Sequence, residues 1–244
     1  FLLLLATGKL HIFMQETKTI FSTKNTACCM VLAAITISFN WGIFIWAVEA
    51  GRIVETSMGY YIGPLMIVLF GVVFLHERLS KLQFAAVGCA AAGIAVIVVH
   101  NGGLPWVAIT LSLTFASYGL LKKVIVAQPM TSILLETLLI SPLAAGYLYY
   151  LSTMGGSVYQ SCDTSTLLLL AGAGPVTATP MLLFTACARK LPLNILGFLQ
   201  YIAPSITLML GVFVYGEPFT STIATAFGCI WFGLLLFIWS QIRR

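Results

Sequence analysis

The chain has 244 residues, of which 60% are hydrophobic and 8% charged, with a mean hydropathy of +1.03. Soluble domains carry about 25% charged residues, so this composition excludes a water-facing surface and selects lipid as the solvent. A formal net charge of +5 does not point to nucleic acid, because the Lys and Arg residues never cluster beyond a pair and phosphate recognition needs a basic footprint.

In chain order, the run Phe1-Leu2-Leu3-Leu4-Leu5-Ala6 lacks the charged start and cleavage site of a signal peptide. It reads as the tail of a membrane helix whose beginning is missing. A spanning helix needs about 20 mostly apolar residues. Eight segments meet that length: Ala27 to Val48, Ile53 to Leu75, Leu82 to Val99, Leu104 to Leu121, Thr131 to Leu151, Ser165 to Ala188, Leu193 to Tyr215 and Thr220 to Ser240. Polar punctuation separates them, as at His76-Glu77-Arg78, Lys122-Lys123, Arg189-Lys190 and Gly216-Glu217-Pro218. The runs are too long and too uniformly apolar for barrel strands, which alternate over about ten residues.

Lys and Arg in alternate connections divide eleven to one, with Arg52 alone on the minority side. The positive-inside rule then places the stretch from Lys9 to Thr26, the connections after Leu75, Leu121 and Ala188, and the C-terminus in the cytoplasm.

Displacing the chain by 140 residues superposes Tyr61 on Tyr201, Pro64 on Pro204, Gly71 on Gly211, Glu77 on Glu217, Gly88 on Gly228, Cys89 on Cys229 and Gly93 on Gly233. Shared apolar composition does not put proline, glutamate, tyrosine and glycines in register. The helix Leu104 to Leu121 has no partner at this offset. The expectation is an all-α integral membrane fold of two inverted five-helix repeats, ten helices when intact, with eight full helices and an N-terminal remnant here. Residues 1–100 form the first repeat and 101–244 the second, with roughly 40 residues missing at the front. An odd number of helices forces the copies into opposite orientations, an arrangement that places a solute site at the repeat interface.

The stretches Asn40-Trp41, Phe44-Ile45-Trp46-Ala47-Val48, Glu55-Thr56-Ser57-Met58-Gly59-Tyr60-Tyr61-Ile62-Gly63-Pro64, Phe74-Leu75-His76-Glu77-Arg78-Leu79, Ser117-Tyr118-Gly119-Leu120, Leu135-Glu136-Thr137 and Gly197-Phe198-Leu199-Gln200-Tyr201-Ile202-Ala203-Pro204 resemble the RarD branch of the EamA drug/metabolite transporters. The sequence departs from that pattern mildly, at Gly63 and Ala203 before the prolines, and seriously in the missing first helix. The resemblance implies a ten-helix permease of the bacterial inner membrane with cytoplasmic termini, and a name linked to chloramphenicol sensitivity. Export of small metabolites or drugs by alternating access is the function it implies.

Polar groups in mid-membrane are candidate functional groups. Ser57, Tyr60, Tyr61 and Pro64 share one helical face, and Gly197, Gln200, Tyr201 and Pro204 share the matching one. Each interior proline removes a helical hydrogen bond and kinks its helix. With Asn40, Trp41 and Tyr118 these residues form the expected substrate pathway, against the plainer reading of packed tyrosines with satisfied hydroxyls. Glu136 is the acidic residue well inside a span; it is either a proton- or cation-coupling group or an interfacial residue reaching water. Gly172, Gly174, Pro175, Thr177, Thr179 and Pro180 mark an irregular helix, either a kinked packing helix or the wall of a cavity. Ala85/Cys89/Gly93 and Thr225/Cys229/Gly233 are small-residue stripes, suited to close helix packing or to a homodimer face. Glu77 and Glu217 suit helix capping or a gate.

Six cysteines with no C-x-x-C spacing give neither a disulfide framework nor a zinc site. The three histidines lie in or beside loops, and no H-E-x-x-H or nucleophile–base pair accompanies them. Neither catalysis, a cofactor nor a metal is expected. The expected partners are the bilayer and a small solute. A channel, a receptor or a scaffold uses the same kind of bundle, and saturable counterflow separates a carrier from these.

Overall fold

The computed structural model describes residues 10–103, 106–153, 163–214 and 219–242. The apolar start Phe1 to Ala6, the Gly216-Glu217-Pro218 connection and the two terminal arginines lie outside the described residues. Among the described residues the regular structure is entirely helical. The helices are α1 (Leu10–Ser22), α2 (Lys24–Glu49), α3 (Ile53–Leu75), α4 (Lys81–His100), α5 (Trp106–Val124), α6 (Pro129–Thr153), α7 (Thr164–Lys190), α8 (Leu193–Gln200), α9 (Ile202–Phe213) and α10 (Ser221–Ile242). Counting α8 and α9 as one path, eight of these are long and apolar enough to span a membrane, as the runs of hydrophobic residues require.

One expectation is corrected and two are sharpened. The stretch from Lys9 to Thr26 is not merely a loop, because Leu10–Ser22 is helical; at 13 residues it is too short to cross a bilayer. The segment beginning at Leu193 is one membrane-length span, Leu193–Leu210, interrupted at the single residue Tyr201 between α8 and α9, whose backbone stays right-handed helical. Pro204 removes the donor that would close on the Gln200 carbonyl, and the Tyr201 N–H turns instead to the Phe198 carbonyl at 3.2 Å. The run containing Pro175 and Pro180 is one α7 of 27 residues with both prolines inside it, each removing a helical hydrogen bond.

The chain forms two compact units. One comprises residues 1–38 and 121–190, the other residues 39–120 and 191–244, so each draws helices from both halves of the sequence. In the second unit α4 packs on α10, and α3 on α8. The α4–α10 contact exchanges equivalent residues. A Cβ built on Gly93 would lie 2.5 Å from the Ala226 carbonyl oxygen and 3.2 Å from the Cys229 Cβ. One built on Gly233 would lie 2.8 Å from the Ala86 carbonyl oxygen and 3.2 Å from the Cys89 Cβ. Each glycine thus sits on the 140-residue image of the other's partners, which is the signature of a local two-fold between inverted repeats. The small-residue stripes are therefore used against each other within the chain. Ala85 and Thr225, assigned to them from sequence, are exposed, and Ala86 and Ala226 take their places.

The α3–α8 contact is built by a different device. His76, left-handed at φ 54°, ends α3 and lets the Glu77 N–H return to the Gly71 carbonyl at 3.0 Å. The Glu77 carboxylate then accepts the Leu193 N–H at 2.7 Å and the Asn194 N–H at 2.9 Å. It caps a helix 116 residues away rather than its own turn. Gly71 permits this, since a Cβ there would lie 2.8 Å from Glu77 Oε2 and 2.9 Å from the Leu193 Cβ.

Candidate functional site

The ten residues expected to line a substrate pathway all fall in the second unit. The α3–α8 contact brings Gly197 against the Pro64 carbonyl and Val68, which a Cβ there would meet at 2.5 and 2.6 Å. Both Pro64 and Pro204 are buried. Tyr201 is 1% exposed, packed against Phe198, Val68 and Ile230. Among the described residues its hydroxyl has no hydrogen-bond partner, and neither has the Gln200 amide nitrogen. A buried hydroxyl left unpaired costs about 1–3 kcal/mol, so the plain reading of satisfied tyrosines fails at this position.

An aromatic and polar chain connects the two tyrosines of the repeat. The Tyr61 ring meets Phe227 edge-on at 5.4 Å, and Phe227 meets Trp231 at 5.7 Å. The Trp231 indole N–H donates to Ser205 Oγ at 2.9 Å, and that hydroxyl donates to the Tyr201 carbonyl at 2.8 Å. Phe227 and Trp231 were missed from sequence because their repeat counterparts are Val87 and Ala91, which leaves no paired signal.

The remaining pathway residues divide. The Asn40 amide donates to the Leu111 carbonyl at 2.8 Å and to Thr114 Oγ1 at 2.7 Å, tying α2 to α5. Trp41, Phe44 and Tyr60 form a ladder of edge-on contacts at 6.4 and 5.9 Å, and Tyr60 is 60% exposed. Tyr60 and Pro64, expected on one face, thus divide between an open and a buried side. The Ser57 hydroxyl donates back to the Ile53 carbonyl at 2.9 Å. Tyr118 is fully buried beside Phe115. At the end of α2, the Arg52 guanidinium lies 5.6 Å from the Trp46 ring and 5.7 Å from Trp106, with Glu55 at 3.3 Å. Charge counting marks Arg52 as a topology signal and carries no trace of this cation–π clamp.

Glu136 lies in the first unit and is 5% exposed, which overturns the reading of an interfacial residue reaching water. Its counter-charge is Lys122, 1% exposed, whose ammonium donates to Glu136 Oε1 and, at 2.6 Å, to Ser132 Oγ. The Lys122-Lys123 pair looks like loop punctuation in sequence. The chain instead turns back after Val124, so that α6 carries Ser132 and Glu136 onto Lys122. The turn is held from α1, where Glu16 accepts the Gln128 N–H at 3.0 Å.

Eight membrane-length helices among the described residues, with glycines at the α4–α10 contact and prolines inside α3, α6 and α7, define a polytopic membrane protein. The EamA-like transporter family matches residues 1–99. The chain is 47% identical over 214 residues to an uncharacterized transporter of Bacillus subtilis, YojE, covering 88% of this chain and 71% of that protein. It is 38% identical over 225 residues to protein RarD of Escherichia coli, covering 92% and 76%. It is 31% identical over 243 residues to the chloramphenicol-sensitive protein RarD of Pseudomonas aeruginosa, covering 100% and 81%. A crystal structure with 18% identity shares the fold at a TM-score of 0.65, over 88% of this chain and 77% of that one. The chain belongs to the EamA-like transporter family, in its RarD branch, and is a multi-pass membrane transporter.

Proposed function

We propose that this protein exports small amphipathic metabolites or drugs across the bacterial inner membrane, by alternating access of its two inverted repeats and with its C-terminus in the cytoplasm. The observation that carries this reading is the unpaired Tyr201 hydroxyl beside the α8–α9 break, joined through Ser205, Trp231 and Phe227 to Tyr61. A solute with an apolar body and one or two hydrogen-bonding groups would use both the aromatic faces and the unmatched polar atoms. The scarcity of charge along this chain disfavours strongly anionic solutes. Glu136, paired with Lys122, is the proposed coupling group, and chloramphenicol, by similarity to the Pseudomonas relative, is the first solute to try.

Counterflow of labelled chloramphenicol in proteoliposomes tests the proposal. Saturable exchange supports a carrier, whereas linear, non-exchanging flux indicates a channel. In the same assay Tyr201→Phe should lower transport several-fold while raising stability by about 1 kcal/mol, since it deletes an unpaired buried group. A Tyr201→Phe variant that transports normally removes this hydroxyl from the site.

A further inference from the structure

Arg52 is held between two indole rings. Its guanidinium carbon stands 5.6 Å from the Trp46 ring centroid and 5.7 Å from that of Trp106, and the rings themselves are 5.6 Å apart and tilted by 40°. Glu55 closes a third side, with Oε1 at 3.3 Å from the Arg52 Nη1. Two aromatic faces and a carboxylate make a cage suited to an organic cation. The walls of this cage do not depend on Arg52. Ala47 and Val107, which follow the two tryptophans, are fully buried and cluster with Leu111, and Asn40 ties the same two helices together. The Arg52 backbone is fixed by Gly51 at φ 73° and by its own N–H donating to the Ala47 carbonyl at 2.8 Å. Its side chain is 41% exposed, so side-chain rotation alone empties the cage. The guanidinium also leaves half of the carboxylate unused: Glu55 Oε2 is buried and has no hydrogen-bond partner among the described residues. A cation free of the tether can reach both oxygens, as a bidentate guanidinium–carboxylate pair does.

We propose that Trp46, Trp106 and Glu55 form a binding site for small organic cations of the guanidinium or ammonium class, which Arg52 occupies as a tethered stand-in. The incoming cation takes the place between the rings, and the Arg52 guanidinium swings out to water through its exposed side. A guanidinium is the better guest than a compact ammonium, because it is more weakly hydrated and its plane stacks on indole. The Glu55 carboxylate repels anions, and a neutral solute of the same shape gains little from the ring quadrupoles. A tethered occupant lowers the apparent affinity by the fraction of time it leaves the cage open. The unaltered chain therefore holds its guest loosely, and removal of Arg52 reveals the site.

Isothermal titration of the full chain in nanodiscs tests this. The probe is n-propylguanidinium, the free equivalent of the arginine side chain, with n-propylurea as its neutral isostere. Arg52→Ala should bind n-propylguanidinium about tenfold more tightly than the unaltered chain, and neither should bind n-propylurea. Adding Glu55→Gln or Trp106→Leu to Arg52→Ala should weaken binding by about tenfold or more in each case. Arg52→Gln supplies a second background that keeps a polar stem at the turn, and it should give the same ranking where the alanine variant folds poorly. No gain in affinity in either background, equal binding of the urea, or binding that survives Glu55→Gln overturns the proposal and leaves Arg52 as a brace between α2 and α5. The readout does not depend on transport, so it stands or falls separately from the function proposed above.

Discussion

Glu77 offers the sharpest test of how the second unit is held together. Its carboxylate is the N-terminal cap of α8, supplied from the end of α3, and it accepts two backbone N–H groups at 2.7 and 2.9 Å. Hydrogen bonds to a charged group contribute about 1.5–3 kcal/mol each, and a carboxylate at a helix N-terminus adds about 0.3–1 kcal/mol through the macrodipole. Glu77 is only partly buried, so water can replace part of what Glu77→Ala removes. The expected loss is about 3 kcal/mol, corresponding to a fall in Tm of roughly 6–12 °C for a chain of this size. Glu77→Gln keeps one acceptor but turns an NH2 donor toward a second donor, so it should lose at least half as much. Thermal unfolding followed by circular dichroism in a mild detergent measures both. A shift below about 2 °C for Glu77→Ala would mean that the α8 N–H groups are satisfied equally well by water, and the clasp reasoning fails.

Other outcomes follow from the same contacts. Lys122→Met leaves the Glu136 carboxylate buried without its counter-charge and should cost about 3–5 kcal/mol, most of it recovered when Glu136→Leu is added; equal losses in the single and double variants would show that the pair is not coupled. Glu136→Gln assayed for transport across pH tests the coupling role directly, and an unchanged profile removes Glu136 from the mechanism. Gly93→Ala places a methyl 2.5 Å from the Ala226 carbonyl oxygen and should cost about 1–3 kcal/mol. Gly88→Ala, with nothing within 4 Å, should instead be neutral or stabilising by up to about 1 kcal/mol through helix propensity, and the same unfolding measurement ranks the two.

Membrane helices were legible because the bilayer imposes a length and a composition that few other structures share. The repeat was legible because Gly93, Gly233, Pro64 and Pro204 are residues whose backbone consequences survive divergence. What was not legible depends on tertiary partners. The helix α1 is short and carries Glu16 and Lys18, so no window registers it as apolar; its place comes from the Glu16 contact to Gln128. Lys122 looked like a loop cation because basic pairs at helix ends are common in cytoplasmic connections, and its burial follows only once Glu136 folds back onto it. The break at Tyr201 could not be read from proline alone, since Pro64 sits inside a continuous α3 at the equivalent position.

The contrast between Pro64 and Pro204 carries a broader argument. Positions that match across the 140-residue offset build the frame: the glycines set helix separation and the prolines leave carbonyls without donors. Positions that differ add to the site built around the matched Tyr61 and Tyr201. Phe227 and Trp231 face Val87 and Ala91 in the repeat, Asn40 faces Pro180, and Leu199 faces Gly59. With an aromatic pair on α10 alone, Trp231 can reach Ser205 and brace the broken α8–α9 path, while its image Ala91 offers α3 no such hydrogen bond. Phe227 and Trp231, where the two halves disagree, are therefore residues to vary for specificity beside Tyr201, and Gly93 and Gly233, where the halves agree, are those to vary for folding.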